Sequence, residues 1–168
     1  MSLFHSIIAL VVLARIGELA LARHNTRRLL SEGAVEIGAA HYPLIVALHA
    51  TWLLAMLLTI PAGAPPQWLW LGSFLVLQLG RLWVVTSLGR FWTTRIISLP
   101  NAPLVRRGPY RFLRHPNYLI VELEIVLLPL AFGGWTIALV FGIANAALLA
   151  WRIRIEEASL LARRSILT

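Results

Sequence analysis

Apolar runs long enough to cross a bilayer alternate along this chain with short polar segments, and that alternation predicts its elements. Leu3–Ala22, His41–Ile60, Trp68–Leu88 and Trp135–Trp151 are apolar and helix-length, and Leu119–Phe132 is a shorter run of the same kind. A membrane-spanning helix takes about 20 predominantly apolar residues. The pattern therefore predicts an all-α, polytopic membrane helix bundle of about five transmembrane helices, forming one domain over residues 1–168. PAGAPPQ (61–67) and Gly133-Gly134 are turns between runs. Two longer polar stretches remain. Arg23–Ala40, carrying Arg23, Arg27, Arg28, Glu32 and Glu36, is expected to be a solvated interfacial helix. In Gly89–Asn117, the β-branched residues of Thr93–Leu99 predict a short extended excursion, and Gly108-Pro109-Tyr110 a turn.

Polar residues inside the apolar runs carry the next level of information. Arg15 and Glu18 are three apart, share a helix face and must turn toward the bundle, either as a structural ion pair or facing a substrate. Because they interrupt the first run, and no basic segment precedes it, a retained span is expected rather than a cleaved signal. His41, Ile45, His49 and Trp52 fall on one stripe, and Gln78 and Arg81 share a face. Arg81 lies close enough to the basic end of its span to snorkel. Glu122 and Glu124 are two apart, so they cannot face the same cavity; one is expected at an interface or paired with an arginine. Trp68 and Trp70 suit an aromatic belt at the outer end of their span.

Composition strengthens the membrane reading and charge orients it. With 59% hydrophobic and 13% charged residues and a mean hydropathy of +0.78, the 168-residue chain is too apolar for a soluble domain. The net charge of +8 would suggest nucleic acid in a soluble protein, but these arginines flank apolar runs, so no nucleic-acid partner is expected. Arginines crowd the segments after the first, third and fifth runs, whereas PAGAPPQ, AFGGW and the first residues have none. By the positive-inside rule the N-terminus is expected outside and the C-terminus in the cytoplasm. The absence of cysteine excludes thiolate metal sites and a cysteine nucleophile, and no HExxH-like spacing indicates a metal.

This topology brings two polar pieces to one membrane face. One is the loop Leu104–Tyr118, containing GPYRFLRHPNY; the other is RIRIEE (152–157), where Arg152 and Glu156 share a helix face. Residue chemistry alone allows a ligand with a polar head and a greasy partner, or contact with lipid headgroups. GPYRFLRHPNY followed by an apolar helix, and then RxxxEE closing the next span, resembles the isoprenylcysteine carboxyl methyltransferase family. The resemblance covers the core of residues 81–168; residues 1–66 correspond to the variable, acceptor-side spans. It implies S-adenosyl-L-methionine as cofactor and a cofactor site of Leu104, Val105, Tyr110, Arg114, His115, Pro116, Tyr118 and Glu156. It also implies Arg152 as the arginine that orients the acceptor oxygen. One departure is Ala102, where the family often has a histidine. The glycine-rich signature of soluble methyltransferases is not expected in this family.

RIGELALARHNTRRL and HYPLIVALH are similar to the bacterial branch that methylates alkylresorcinols or alkylpyrones made by type III polyketide synthases. That likeness implies O-methylation of a lipophilic phenol or pyrone in the bacterial inner membrane, with the cofactor site facing the cytoplasm. Such an acceptor would benefit from a general base, for which His41, with Glu36 or Glu18 nearby in sequence, is the candidate. Arg15, Glu18, His49, Arg81 and Glu124 are the candidate acceptor-side residues. Besides the acceptor, membrane lipids are the expected partners. Alternatives are carboxyl methylation of an isoprenylcysteine-like substrate and a non-enzymatic module that binds lipid or a partner.

Overall fold

The computed structural model describes residues 2–100, 102–103 and 105–165, with side chains through residue 158 in the last helix. Five helices carry the chain: α1 (Leu3–Ser31), α2 (Tyr42–Thr59), α3 (Trp68–Leu88), α4 (Pro116–Leu130) and α5 (Trp135–Ser165). Two short strands, β1 (Val35–Ile37) and β2 (Ile96–Ser98), pair antiparallel with Glu36 opposite Ile97. Short helical turns occupy Ala39–His41, Gly89–Phe91 and Gly108–Arg111.

Among the described residues, four helical segments are long and apolar enough to cross a membrane: Leu3–Ser31, Ala39–Thr59, Trp68–Phe91 and Trp135–Ala158. The fifth predicted span is α4, whose 15 residues rise only about 22 Å. That is short of the ~30 Å hydrocarbon thickness, and α4 lies packed between α3 and α5.

The interfacial helix expected over Arg23–Ala40 does not exist as a separate element. No helix breaker falls between Ala22 and Ser31, so α1 runs straight through the basic segment. It ends where Gly33 takes φ +91°, and the chain then extends into β1. The expected extended excursion in Thr93–Leu99 is β2.

The helices gather at two ends. At one, Phe4 meets Phe132 edge-to-face with ring centroids 5.1 Å apart, Trp70 meets Trp135 at 6.4 Å, and Gln67 N donates to Ala131 O at 2.8 Å. At the other, the buried Asn25 amide donates to Gly89 O at 3.1 Å and to Trp92 O at 2.9 Å, tying α1 to the end of α3. Gly134 lets α5 turn tightly off α4: a Cβ there would lie 3.0 Å from Ile60 and 3.2 Å from Pro129.

Proline inside α4 is tolerated because a neighbour replaces what it removes. Pro129 has no N–H for the carbonyl of Ile125, four residues earlier. The Trp52 indole of α2 donates to that carbonyl at 3.2 Å. Both residues sit in the larger apolar core, with Phe4, Met56, Phe74 and Leu128. A smaller core of Ala22, Val84, Trp92 and Ile120 lies toward the other end.

Candidate functional site

The polar end of the bundle is built by two helix starts and one helix continuation. Gly108, at φ +58°, seats its turn against α3, where a Cβ would come within 2.0 Å of Ser87 Oγ. Pro116 then opens α4, its fixed φ and missing N–H costing nothing at that position. This places His115 just outside the helix and Tyr118 inside its first turn. From the opposite wall, α5 presents Arg152 and Glu156 one turn apart.

Tyr118 joins the walls. Its hydroxyl donates to Glu156 Oε2 and accepts from Arg152 Nε at 2.9 Å. Arg152 is buried and held from two further sides: its Nη2 donates to Thr94 O at 2.8 Å, and its Nη1 lies 3.3 Å from His41 Nε2. Arginine has no acceptor, so His41 Nε2 must offer a lone pair there. Its Nδ1 is then the protonated nitrogen, and that atom is buried without a partner. His115 stacks on Tyr118 with centroids 5.3 Å apart and an interplanar angle of 18°. Its Nδ1 is 3.8 Å from Glu156 Oε2 and its Nε2 is 3.3 Å from Glu157 Oε1.

Tyr118, Arg152, His115 and Glu156 line a pocket with Trp92, Thr93, Arg95, Ile96, Ile97, Tyr110, Arg114 and Asn117. Burial pushes the Tyr110 hydroxyl above the ordinary tyrosine range, and the Glu156 carboxylate adds to the effect, so Tyr110 stays a neutral donor. The β ribbon borders the pocket, and a two-pronged bridge from Arg95 Nη1 to the Glu36 carboxylate, at 2.9 and 2.8 Å, fastens it. Arg95 also lies over the Tyr42 ring, 4.6 Å from its centroid.

The sequence-predicted residues thus separate into two groups. Arg152, His41, Tyr110, Arg114, His115, Tyr118 and Glu156 come together in or directly behind the pocket. Arg114 is largely exposed and reaches Glu157 at 3.7 Å. Pro116 is buried at the α4 start and Val105 is half-buried; neither is among the described pocket-lining residues. Leu104 lies outside the described residues. The hydrogen bonds of Glu36 go to Arg95, not to His41.

Arg15, Glu18, Arg81 and Glu124 form a second cluster, inside the bundle. Arg81 grips Glu18 through Nε and Nη2, both at 2.6 Å, and Glu124 through Nη1 at 2.8 Å. Arg15 reaches Glu18 at 3.0 Å and Glu124 at 3.1 Å, and Gln78 Nε2 donates to Glu124 at 2.8 Å. Arg81 is therefore buried and paired with two carboxylates, not snorkelling, because acids from α1 and α4 meet it inside the bundle. Glu122 turns the other way and accepts from Asn145 at 2.8 Å. His49 points its Nδ1 at the Ile45 carbonyl, 2.8 Å away. The Arg81 guanidinium also faces Trp92, 5.9 Å from its ring, so one indole separates the cluster from the pocket.

Sequence reasoning missed Thr94, Trp92 and Asn117. Thr94 acts through its carbonyl, which no residue type reveals. Trp92 carried a usable signal: an indole in a polar stretch, outside any apolar stripe.

Fold and site together define a polytopic membrane protein with a polar ligand pocket at one end of its bundle. The family model for isoprenylcysteine carboxyl methyltransferases matches residues 69–162, spanning α3, the pocket loop, α4 and most of α5. An uncharacterized Bacillus subtilis protein, YpbQ, is 38% identical over 163 residues, covering 94% of this chain and 96% of its own. An uncharacterized Haemophilus influenzae protein is 27% identical over 160 residues, covering 90% of this chain and 91% of its own. No solved structure matches. The chain belongs to the isoprenylcysteine carboxyl methyltransferase family, a family of membrane methyltransferases whose members generally use S-adenosylmethionine.

The pocket's donor set fits that cofactor. Glu156 offers a carboxylate for an ammonium or for ribose hydroxyls, and Tyr118 and His115 offer flat faces beside it. Two pocket-lining residues, Trp92 and Asn117, carry buried polar atoms that no protein group satisfies.

Proposed function

We propose that this chain transfers a methyl group from S-adenosylmethionine to an oxygen of a lipophilic small molecule, a long-chain phenol or pyrone of the type III polyketide class. The observation that carries the reading is the Arg152–Tyr118–Glu156 knot, which places a fixed cation and a carboxylate one helical turn apart beside an apolar bundle. When bound, the cofactor supplies an electrophilic methyl group on a sulfonium. The protein's tasks are then alignment and exclusion of water. Glu156, His115, Tyr110 and Tyr118 hold the cofactor. Arg152, braced on three sides, keeps two N–H groups for an acceptor oxygen. His41 contributes first as a brace, because its lone pair faces Arg152. It becomes a proton acceptor for a phenol only when that contact opens.

The acceptor's chain enters from the lipid through the helices of residues 1–66, where His49 lies half-buried. The Arg15–Glu18–Arg81–Glu124 cluster supports that side. Five crossings, α4 included, are favoured by the gathering of alternate helix ends at each pole and by arginine clustering at the pocket pole. On this reading the pocket faces the cytoplasm and the membrane is the bacterial inner membrane.

The test is purified protein with labelled S-adenosylmethionine and three acceptors: an alkylresorcinol, an alkylpyrone and a prenylcysteine analogue. Label is expected in the first two. Label only in the prenylcysteine analogue would move the reaction to carboxyl methylation, and absence of saturable cofactor binding by calorimetry would remove the enzymatic reading.

A further inference from the structure

Three side-chain polar atoms among the described residues are buried without a partner: His41 Nδ1, Trp92 Nε1 and Asn117 Oδ1. Such atoms cost free energy when nothing pairs with them, and native proteins carry few. His41 Nδ1 is packed under Gly38, where a Cβ would approach it to 2.9 Å. The other two belong to residues that line the pocket. They are opposite in sense, since an indole N–H only donates and an amide oxygen only accepts.

Both are held in place by groups that are otherwise engaged. Trp92 is 2% exposed; its backbone carbonyl is fixed by Asn25, and the Arg81 guanidinium covers its ring. Asn117 sits between Pro116, which fixes the start of α4, and Tyr118, which is bonded to both Arg152 and Glu156. A ligand that satisfied both would present a hydrogen-bond donor to Asn117 and an acceptor to Trp92. The adenine ring has that edge: its exocyclic amino group donates, and the ring nitrogen next to it accepts. Glu156, on α5, is left for the ribose or the ammonium.

We infer that Asn117 and Trp92 form the adenine-reading wall of this pocket, Asn117 accepting from the 6-amino group and Trp92 donating to an adjacent ring nitrogen. The inference rests on the cofactor reading above and adds the base-recognition residues to it.

Calorimetry in detergent with two probes tests it: S-adenosylhomocysteine, and the analogue whose base is unsubstituted purine and so lacks the amino group. Wild-type protein is expected to prefer S-adenosylhomocysteine by about tenfold or more. Asn117→Leu, close in shape but unable to accept, should abolish that preference by weakening S-adenosylhomocysteine alone. Asn117→Asp, which still accepts, should retain it. Trp92→Phe should weaken both probes about equally, because both keep the ring nitrogen. Thermal unfolding of each variant checks that it is folded. An Asn117→Leu protein that stays folded with its preference unchanged, or that loses both probes alike, overturns the assignment and leaves the cofactor reading standing. Wild-type protein that binds neither probe overturns both.

Discussion

Two polar clusters occupy this bundle, and they differ in what they leave unpaired. In the inner cluster, Arg15, Arg81, Glu18 and Glu124 balance two positive against two negative groups, and Gln78 fills a remaining contact. In the pocket cluster, Arg152 and Glu156 share Tyr118, yet Trp92 and Asn117 still hold buried unpaired atoms. A closed network serves the fold, because any added ligand would have to displace a partner already in place. An open one suits a ligand, because its buried polar groups gain when a bound group pairs with them. Indole Trp92 lies between the two, against Arg81 on one side and lining the pocket on the other.

Substitutions should separate the clusters by what they damage. The largest expected effect is on the inner one. Glu124→Ala leaves Arg81 and Arg15 with Glu18 as their one shared carboxylate, and breaking a buried pair costs about 3–5 kcal/mol. Thermal unfolding in detergent should show a large loss of stability, while the equivalent pocket variant, Glu156→Ala, should unfold close to wild type. Glu156→Gln should instead weaken binding of S-adenosylhomocysteine by about ten- to a hundredfold, the worth of one charge-assisted hydrogen bond. Titration calorimetry reads that directly. Arg152→Lys should keep the charge but lose the three-sided brace, lowering turnover about tenfold or more with cofactor affinity nearly unchanged.

Smaller effects sharpen the contrast further. Trp52→Phe strips the donor from the Ile125 carbonyl that Pro129 leaves open, and should cost about 1–2 kcal/mol of stability without touching binding. Pro129→Ala in that background should recover part of it, because the helix regains its own donor. The Arg95–Glu36 bridge is partly exposed, with side-chain accessibilities of 41% and 21%. Glu36→Gln should therefore change stability by less than about 1 kcal/mol. A large loss of cofactor affinity in that variant would show that the ribbon, and not only the helices, shapes the pocket.

How much of this was legible beforehand differs by element. The bounds of α3 follow directly from its apolar run, and α2 and the start of α5 fall within a residue of theirs. The run into Arg23–Ala40 misled, because charge density signals solvent exposure and says little about whether a helix stops. Only the glycines at 33 and 38 held that information, and the strand they release needs a partner sixty residues away. Arg81 misled in a related way: its distance from the span end permits snorkelling, and only the arrival of Glu18 and Glu124 from other helices makes burial favourable.

The sequence by itself determined that the chain lives in a membrane, where its long helices begin, which pole is basic, and that the RHPNY loop and the RIRIEE helix lie at that pole. These follow from local properties: hydropathy, helical spacing and residue type. Tertiary structure alone decided which arginine meets which acid, that His41 faces Arg152, and that a backbone carbonyl at Thr94 completes the brace. It also decided which polar atoms remain without partners. A vacancy of that kind is a property of the whole packed arrangement, since a donor is unpaired only when every neighbour that could have met it is engaged elsewhere.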